Sequence, residues 1–498
     1  MIHKTTISIV FLLFCSSIGY AQESQKERIE FQESTIKYYS CIPFGTDGML
    51  LKTLDESAQT SGKIDNYTYV KYDTAFHIIN KTNVVLPARK SNYIDYTNSQ
   101  NHYSLAVQTS GTYTLTIINA RTLNTKTIHG KLPKSTVIQS IRAVGDYVYF
   151  QGFTKELPIL LAQNIRTEEF IFGKIIPLSK RNFSIISFEI NEESGEAYLF
   201  TKDVLKNDRL IKFYIYKDGQ KTFETVVKSN EPDKYIVSAF ASKLHDNSYI
   251  LSGTYGNTSR NTTTSVGIFI SKLTANGTIE FTKYINYLDI NQFTSYLSEK
   301  RQEKIEKKQE RLNNRSKELE INYLMIPHKI IEENNTFALV GEAFYPTFRQ
   351  ECQHISAPGG PTMHCYQVFD GYQYTHFFLL GFNENGELLW SNSAPMYIND
   401  KPYNPIRFLS INKESQNLKL IYSSWDKLHV HSYQNGEQTN TEEIPYITDD
   451  EKLLVSSCRN RYWYGNTFLS FGFQKIKNKE EHNKREIFFI EKLTIPTK

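Results

Sequence analysis

The chain has 498 residues, with 57 basic and 53 acidic side chains and a formal charge of +4. That near-balance excludes the strong basic field of a nucleic-acid-binding protein. The length allows about three average domains or one large repeat domain. The 33 Tyr and 31 Phe, against 24 Gly and 15 Pro, favour strands, because aromatic and β-branched side chains fit a pleated, half-buried surface.

The N-terminus reads MIHKTTISIVFLLFCSSIGYAQ. Lys4 precedes an apolar core over 7–14, and small residues stand at Gly19 and Ala21. This pattern predicts a signal peptide over 1–21, cut after Ala21, and a mature chain 22–498 in the periplasm or outside the cell. The apolar run is too short to span a bilayer, and no later stretch reads as a transmembrane helix. The bulky Phe14 before Cys15 argues against lipidation.

RIEFQEST, residues 28–35, reads as a strand with nothing local to pair with. The segments after it fit four-strand units. The first is YSCIPF, GMLLKTL, YTYVKYD and FHIINKTNVVL. The second offers three strands: HYSLAVQ, TYTLTIINA and NTKTIHG. The third and fourth supply four each. The fifth holds the clearest repeat: YILSGTYG, VGIFISKL, the turn TANG and TIEFTKYI. The sixth repeats it as TFALVGEAF, THFFLLGF, NENG and ELLW. The seventh has RFLSINK, LKLIYSS and KLHVHSYQNGE. The last supplies only KLLVSSC, TFLSFGF and REIFFIEKL. Such units bury their apolar faces only by stacking on neighbours, so the array is expected to close on itself. The fold class expected is all-β: a single propeller of eight blades, with seven as the alternative, closed by strand 28–35 joining the last blade and leaving no free edge.

The sixth unit carries two insertions. Residues 296–320 are a charged helical pattern with a thin stripe at Ile305, Leu312 and Leu319, which suits a solvated connector or a docking arm. Residues 345–374, YPTFRQECQHISAPGGPTMHCYQVFDGYQY, read as a Pro- and Gly-rich loop closed by two Cys. Binding concentrates in loops on rigid scaffolds, so the binding anchors expected are Tyr345, Phe348, Tyr366, Phe369, Tyr372 and Tyr374. The mature chain keeps four Cys. In an oxidising compartment Cys352 and Cys365 are expected to bond. Cys41 and Cys458 are either a clasp between the chain ends or two separate buried thiols.

HFFLLGFNENGELLWSNSA, 376–394, and FISKLTANGTIEFTKYI, with Phe281 at the Trp position, resemble the repeat of quinoprotein-like (PQQ-like/WD40-like) β-propellers. The chain also looks like secreted propeller proteins of Gram-negative bacteria. The resemblance implies architecture; some of its members are quinone-dependent dehydrogenases and others are periplasmic scaffolds. The dehydrogenases carry Trp in nearly every blade and a vicinal disulfide. Here there are three Trp and no adjacent Cys pair, so no cofactor is expected.

The remaining chemistry is sparse. Cys352, His354, His364 and Cys365 have the donor types of a zinc site but not its usual spacing, so no metal is expected. His376, His429 and His431 read as strand-surface histidines, with His429 and His431 on one face. Glu342 is expected to line a channel or face solvent. No nucleophile elbow, HExxH, Walker loop, GxGxxG or EF-hand pattern occurs. The function expected is an exported, monomeric, non-catalytic scaffold for an unidentified protein or glycan partner, with no nucleic acid. The alternative is a secreted hydrolase or lyase acting on glycan or peptide at the channel mouth.

Overall fold

The computed structural model describes residues 25–32, 39–54, 64–88, 90–155, 157–175, 183–205, 208–257, 263–315, 317–357, 360–412, 416–480 and 483–496. The expected signal peptide and residues 33–35 of the first strand lie outside them. Among the described residues the strands form eight antiparallel sheets of four or five strands. This is an all-β arrangement consistent with a propeller.

The first sheet runs Tyr39–Pro43, Met49–Leu54, Ile64–Tyr72, Ile78–Pro87; the second Ser91–Thr97, Asn101–Gln108, Thr112–Asn119, Thr125–Lys131. The third and fourth open with Thr136–Val144 and Phe183–Asn191. The fifth pairs Phe240–Lys243 and Tyr235–Ile236 with Tyr249–Gly256, followed by Gly267–Leu273 and Ile279–Asn286. The sixth pairs Leu324–Pro327 and Ile331–Glu333 with Thr336–Ala357, then Gly360–Asn383 and Leu388–Pro395. The seventh starts at Ser410–Ile411. The eighth is Glu451–Tyr464, Thr467–Asn478 and Lys484–Thr494, with Gln25–Gln32 as its fourth strand.

Burial follows strand position. The middle strand Tyr249–Gly256 is buried at every residue, so it reads as an unbroken apolar run, as expected when both sheet faces are covered. The outer strand Ile78–Pro87 is mostly exposed. The inner strand Ser91–Thr97 (SNYIDYT) has no fully buried residue. It is missing from the sequence reading because a strand without an apolar face leaves little period-2 signal.

Eight apolar clusters hold the sheets together, each straddling two of them. Leu50 and Tyr69 of the first sheet meet Ile118 of the second. Leu115 of the second meets Phe150 of the third. The series continues to Ile421 and Val430 of the seventh with Phe468 of the eighth. One further cluster joins Leu469 and Phe488 of the eighth sheet to Cys41 and Leu51 of the first.

The repeat signature has a packing reason. The Gly of each polar turn has positive φ: Gly277 +91, Gly386 +67 and Gly436 +79, a conformation that suits Gly. The aromatic of the preceding sheet sits on it. A Cβ on Gly386 would lie 2.5 Å from the Phe281 ring, and one on Gly436 would lie 2.6 Å from Trp390. The turn of one sheet is thus the socket for the outer strand of the sheet before it.

The 296–320 insertion is helical over Glu299–Asn313, with no buried residue. Ile305 and Leu312 are half-buried, and Leu319, beyond the helix, is buried. On the helix, Glu303 and Lys307, one turn apart, pair at 3.5 Å.

Candidate functional site

The 345–374 segment is not an irregular loop. The two middle strands of the sixth sheet run on as a two-stranded ribbon, with Cys352 opposite Cys365 in register and bonded to it. Alternating side chains and cross-strand pairing carry the ladder outward despite the Pro and Gly content. The inner neighbour pairs only as far as Phe344, and the outer neighbour only as far as His376. Two bulges, at Ala343/Phe344 and Pro346/Phe348, fall where the ribbon leaves the sheet, as bulges do where a strand bends.

The base of the ribbon is braced by the segment after the sixth sheet. Tyr372 donates its amide to Pro402 O at 3.0 Å. Lys401 pairs with Asp370 at 3.0 Å, and the Phe369 ring meets Tyr403 at 5.8 Å. On the same ribbon, Phe348 (56% exposed), Tyr345 (49%) and Tyr366 (43%) stand in solvent. Phe369 and Tyr372 are half-buried and pack edge to face at 5.0 Å. Tyr374 is buried. Its hydroxyl donates to Ile406 O at 2.5 Å and accepts from Ile406 N at 2.9 Å. Of the six expected anchors, three are exposed, two brace the ribbon and Tyr374 is a core residue. Tyr374 pairs with Phe344 just past the first bulge, which the sequence spacing does not reveal.

Cys41 and Cys458 are separate buried thiols. Burial pushes them up to about 12 and about 11, respectively, so neither is a nucleophile at neutral pH. The zinc reading fails at Cys352 and Cys365, which are bonded to each other; the His354 side chain lies outside the described residues. No group of three His, Cys, Asp or Glu among the described residues could hold a metal ion.

The strand histidines are buried, not surface, because aromatic rings cover them: Phe293 and Tyr323 at His376, Tyr397 at His429 and Phe377 at His431. His376 stacks on Tyr296 at 4.2 Å; burial pushes it down to about 3. His429 and His431 both stack on Tyr422, at 4.6 and 5.9 Å, so they share a face as expected. Glu342 is fully buried and faces neither channel nor solvent. It takes hydrogen bonds from His328 Nε2 at 2.7 Å, Phe408 N at 2.9 Å and Leu409 N at 3.2 Å, tying the sixth sheet to the seventh.

A second polar knot joins the first and second sheets. Buried Lys52 donates to Asp95 at 2.6 Å, and Ser104 donates to the other Asp95 oxygen at 2.6 Å. His102 Nε2 lies 3.3 Å from the Ser104 hydroxyl. Burial pushes the Asp95 carboxyl up, but Lys52 and His102 outweigh it and hold it below its ordinary value. Ser104 is 1% exposed, so this Ser–His–Asp set is closed to substrate.

A cavity of about 730 Å³ collects inner-strand ends and adjoining turns from the first, second, fourth, fifth, sixth and eighth sheets. Its charged groups are Glu189, Glu192, Glu193, Lys329 and Arg461. The ribbon leaves the opposite end of its sheet, because the strand that carries it runs antiparallel to the inner one.

No protein-family model and no curated protein matches the chain. Among solved structures, the chain is similar to the WD40 domain of SCAP from fission yeast (7% identity, 95% of this chain, 98% of that one, TM-score 0.42). It is also similar to polysaccharide lyase Uly1 (10%, 94% and 99%, 0.39). A third likeness is to the β-propeller domain of the Trilobed protease from Pyrococcus furiosus (8%, 80% and 98%, 0.35). At such identities and scores, no activity carries over to this chain.

Proposed function

We propose that the chain is an exported eight-bladed β-propeller that binds a protein partner on the ribbon of its sixth blade, without catalysis. Ring closure is supported by the pairing of Gln25–Gln32 with the last sheet and by the apolar cluster between the eighth and first sheets. Its polar turns and Trp390 support a likeness to quinoprotein-like propellers in architecture. Export is supported by the signal-peptide pattern and by the Cys352–Cys365 bond, which suits an oxidising compartment. No helix among the described residues is long and apolar enough to cross a membrane.

The observation that carries the binding reading is the cluster of exposed rings, Tyr345, Phe348 and Tyr366, on a ribbon held by a disulfide. Rigid aromatics are preferred interface anchors. The ribbon's own charges are paired, Arg349 with Glu351 at 2.7 Å, so ring contact rather than net charge drives recognition. The test is a photo-crosslinking residue at Phe348 in the full chain, in the producing cell, with the same residue at exposed Ile78 as control. A protein adduct specific to position 348 supports the reading. Identical adducts at both positions, no adduct, or capture of glycan alone overturns it.

A second reading, an enzyme acting on glycan or peptide, is supported by the three carboxylates that share one axial cavity. Glu192→Gln and Glu193→Gln would then abolish turnover of a polysaccharide or peptide. Absence of any turnover by the wild-type chain removes that reading.

A further inference from the structure

The axial cavity has a charge arrangement that the ribbon reading does not use. Its acids, Glu189, Glu192 and Glu193, all come from the end of one inner strand, in the fourth sheet. Its bases come from elsewhere: Lys329 from the sixth sheet and Arg461 from the eighth. In the proposed eight-blade ring, on which this inference rests, the fourth and eighth sheets lie opposite each other. The cavity is therefore acidic on the fourth-sheet wall and basic at Arg461 on the facing one, with Lys329 reaching in between them and Ile190 and Ile330 among its apolar lining.

One contact shows how the walls face. Lys329 Nζ stands 3.4 Å from Glu189 Oε2, between sheets that are not neighbours. A charge-assisted hydrogen bond closes to about 2.7–2.9 Å, so this pair is loose and displaceable. Glu192 is braced from a third direction, taking a hydrogen bond from Ser99 N of the second sheet at 3.2 Å. Opposed charges across a cavity suit a ligand that carries both signs at its two ends. A volume of about 730 Å³ falls within the roughly 300–1,000 Å³ of small-ligand sites.

The geometry points to this cavity as a site for a short peptide with free termini, its ammonium group on the Glu189–Glu193 wall and its carboxylate against Lys329 and Arg461. A neutral sugar has hydrogen-bonding groups but no charge separation to match the walls.

The test is calorimetric titration of the full chain with tri-alanine, and with the same peptide acetylated and amidated, at low ionic strength. Tri-alanine is expected to bind saturably at one site, and the capped peptide on the order of tenfold more weakly, since both end charges are lost. Lys329→Gln and Glu189→Gln should each weaken tri-alanine several-fold, with circular dichroism unchanged because the Lys329 side chain is about half exposed. Ile78→Ser, on the exposed outer strand of the first sheet and away from the cavity, should leave binding unchanged. Equal binding of capped and free peptide, no saturable binding of tri-alanine, or maltose binding instead of it overturns the inference. The crosslinking result at position 348 is independent of all three, so the two readings fail separately.

Discussion

Arg28 donates from Nη1 to the backbone carbonyl of Tyr446, 418 residues further along the chain, at 2.9 Å. Its Nη2 donates to Gln474 at 2.8 Å, and its guanidinium lies 4.2 Å from the Phe489 ring centroid. One early side chain thus reaches into two strands of the last sheet and the turn leading into it.

Arg28→Ala should therefore loosen the terminal sheet as a unit. Hydrogen bonds involving a charged group contribute about 1.5–3 kcal/mol each, so a loss of about 2 kcal/mol in unfolding free energy is expected. Arg28→Lys should recover only part, lacking the planar fork. The check is denaturant unfolding together with hydrogen exchange over 484–494. Unchanged exchange there would mean that the strand is not anchored through Arg28.

Gly436→Ala tests the socket. The residue has φ +79, and the new Cβ would lie 2.6 Å from Trp390. A left-handed non-Gly residue costs roughly 1 kcal/mol, and overpacking about 1–3 more. Destabilisation of about 2–4 kcal/mol is expected. Gly436→Ala combined with Trp390→Ala should cost less than the sum of the two single changes, because they share one contact.

Stability should fall with acid in a defined window. Burial depresses His376 to about 3, and His102 and His431 to about 4. The folded state then binds fewer protons than the unfolded chain between those values and the ordinary 6.5. The contribution is complete above about pH 6.5 and is lost as pH drops. Each histidine adds about 1.4 kcal/mol per pH unit inside its window. His376→Gln should make the slope between about pH 4.5 and 5.5 shallower by roughly one proton. An unchanged slope would show that His376 is protonated in the folded state.

Reduction of Cys352–Cys365 should act locally. The bond closes a separation of 13 residues, and closing a 15-residue loop is worth about 3 kcal/mol. An isolated two-stranded hairpin is marginal in water. Cys352→Ser with Cys365→Ser should raise hydrogen exchange over 347–368 and leave the eight sheets unchanged. Loss of global stability by the same amount would mean that the ribbon unfolds only with the whole chain.

The sequence by itself determined the apolar strands. Middle strands such as Tyr249–Gly256 are covered on both faces and so read as continuous apolar runs. The Asn-Gly turns follow from a backbone that needs positive φ, and the Cys352–Cys365 pair from two Cys flanking one short segment in a chain expected to be exported. Only the tertiary structure decided which aromatics face solvent. Tyr345 and Tyr374 are alike in sequence terms, yet bulges and the Pro402 brace leave one exposed and bury the other. Likewise Glu189 and Lys329 are distant in sequence and share no pattern. They meet at 3.4 Å because inner strands from separate sheets converge, and local periodicity carries no record of convergence between sheets.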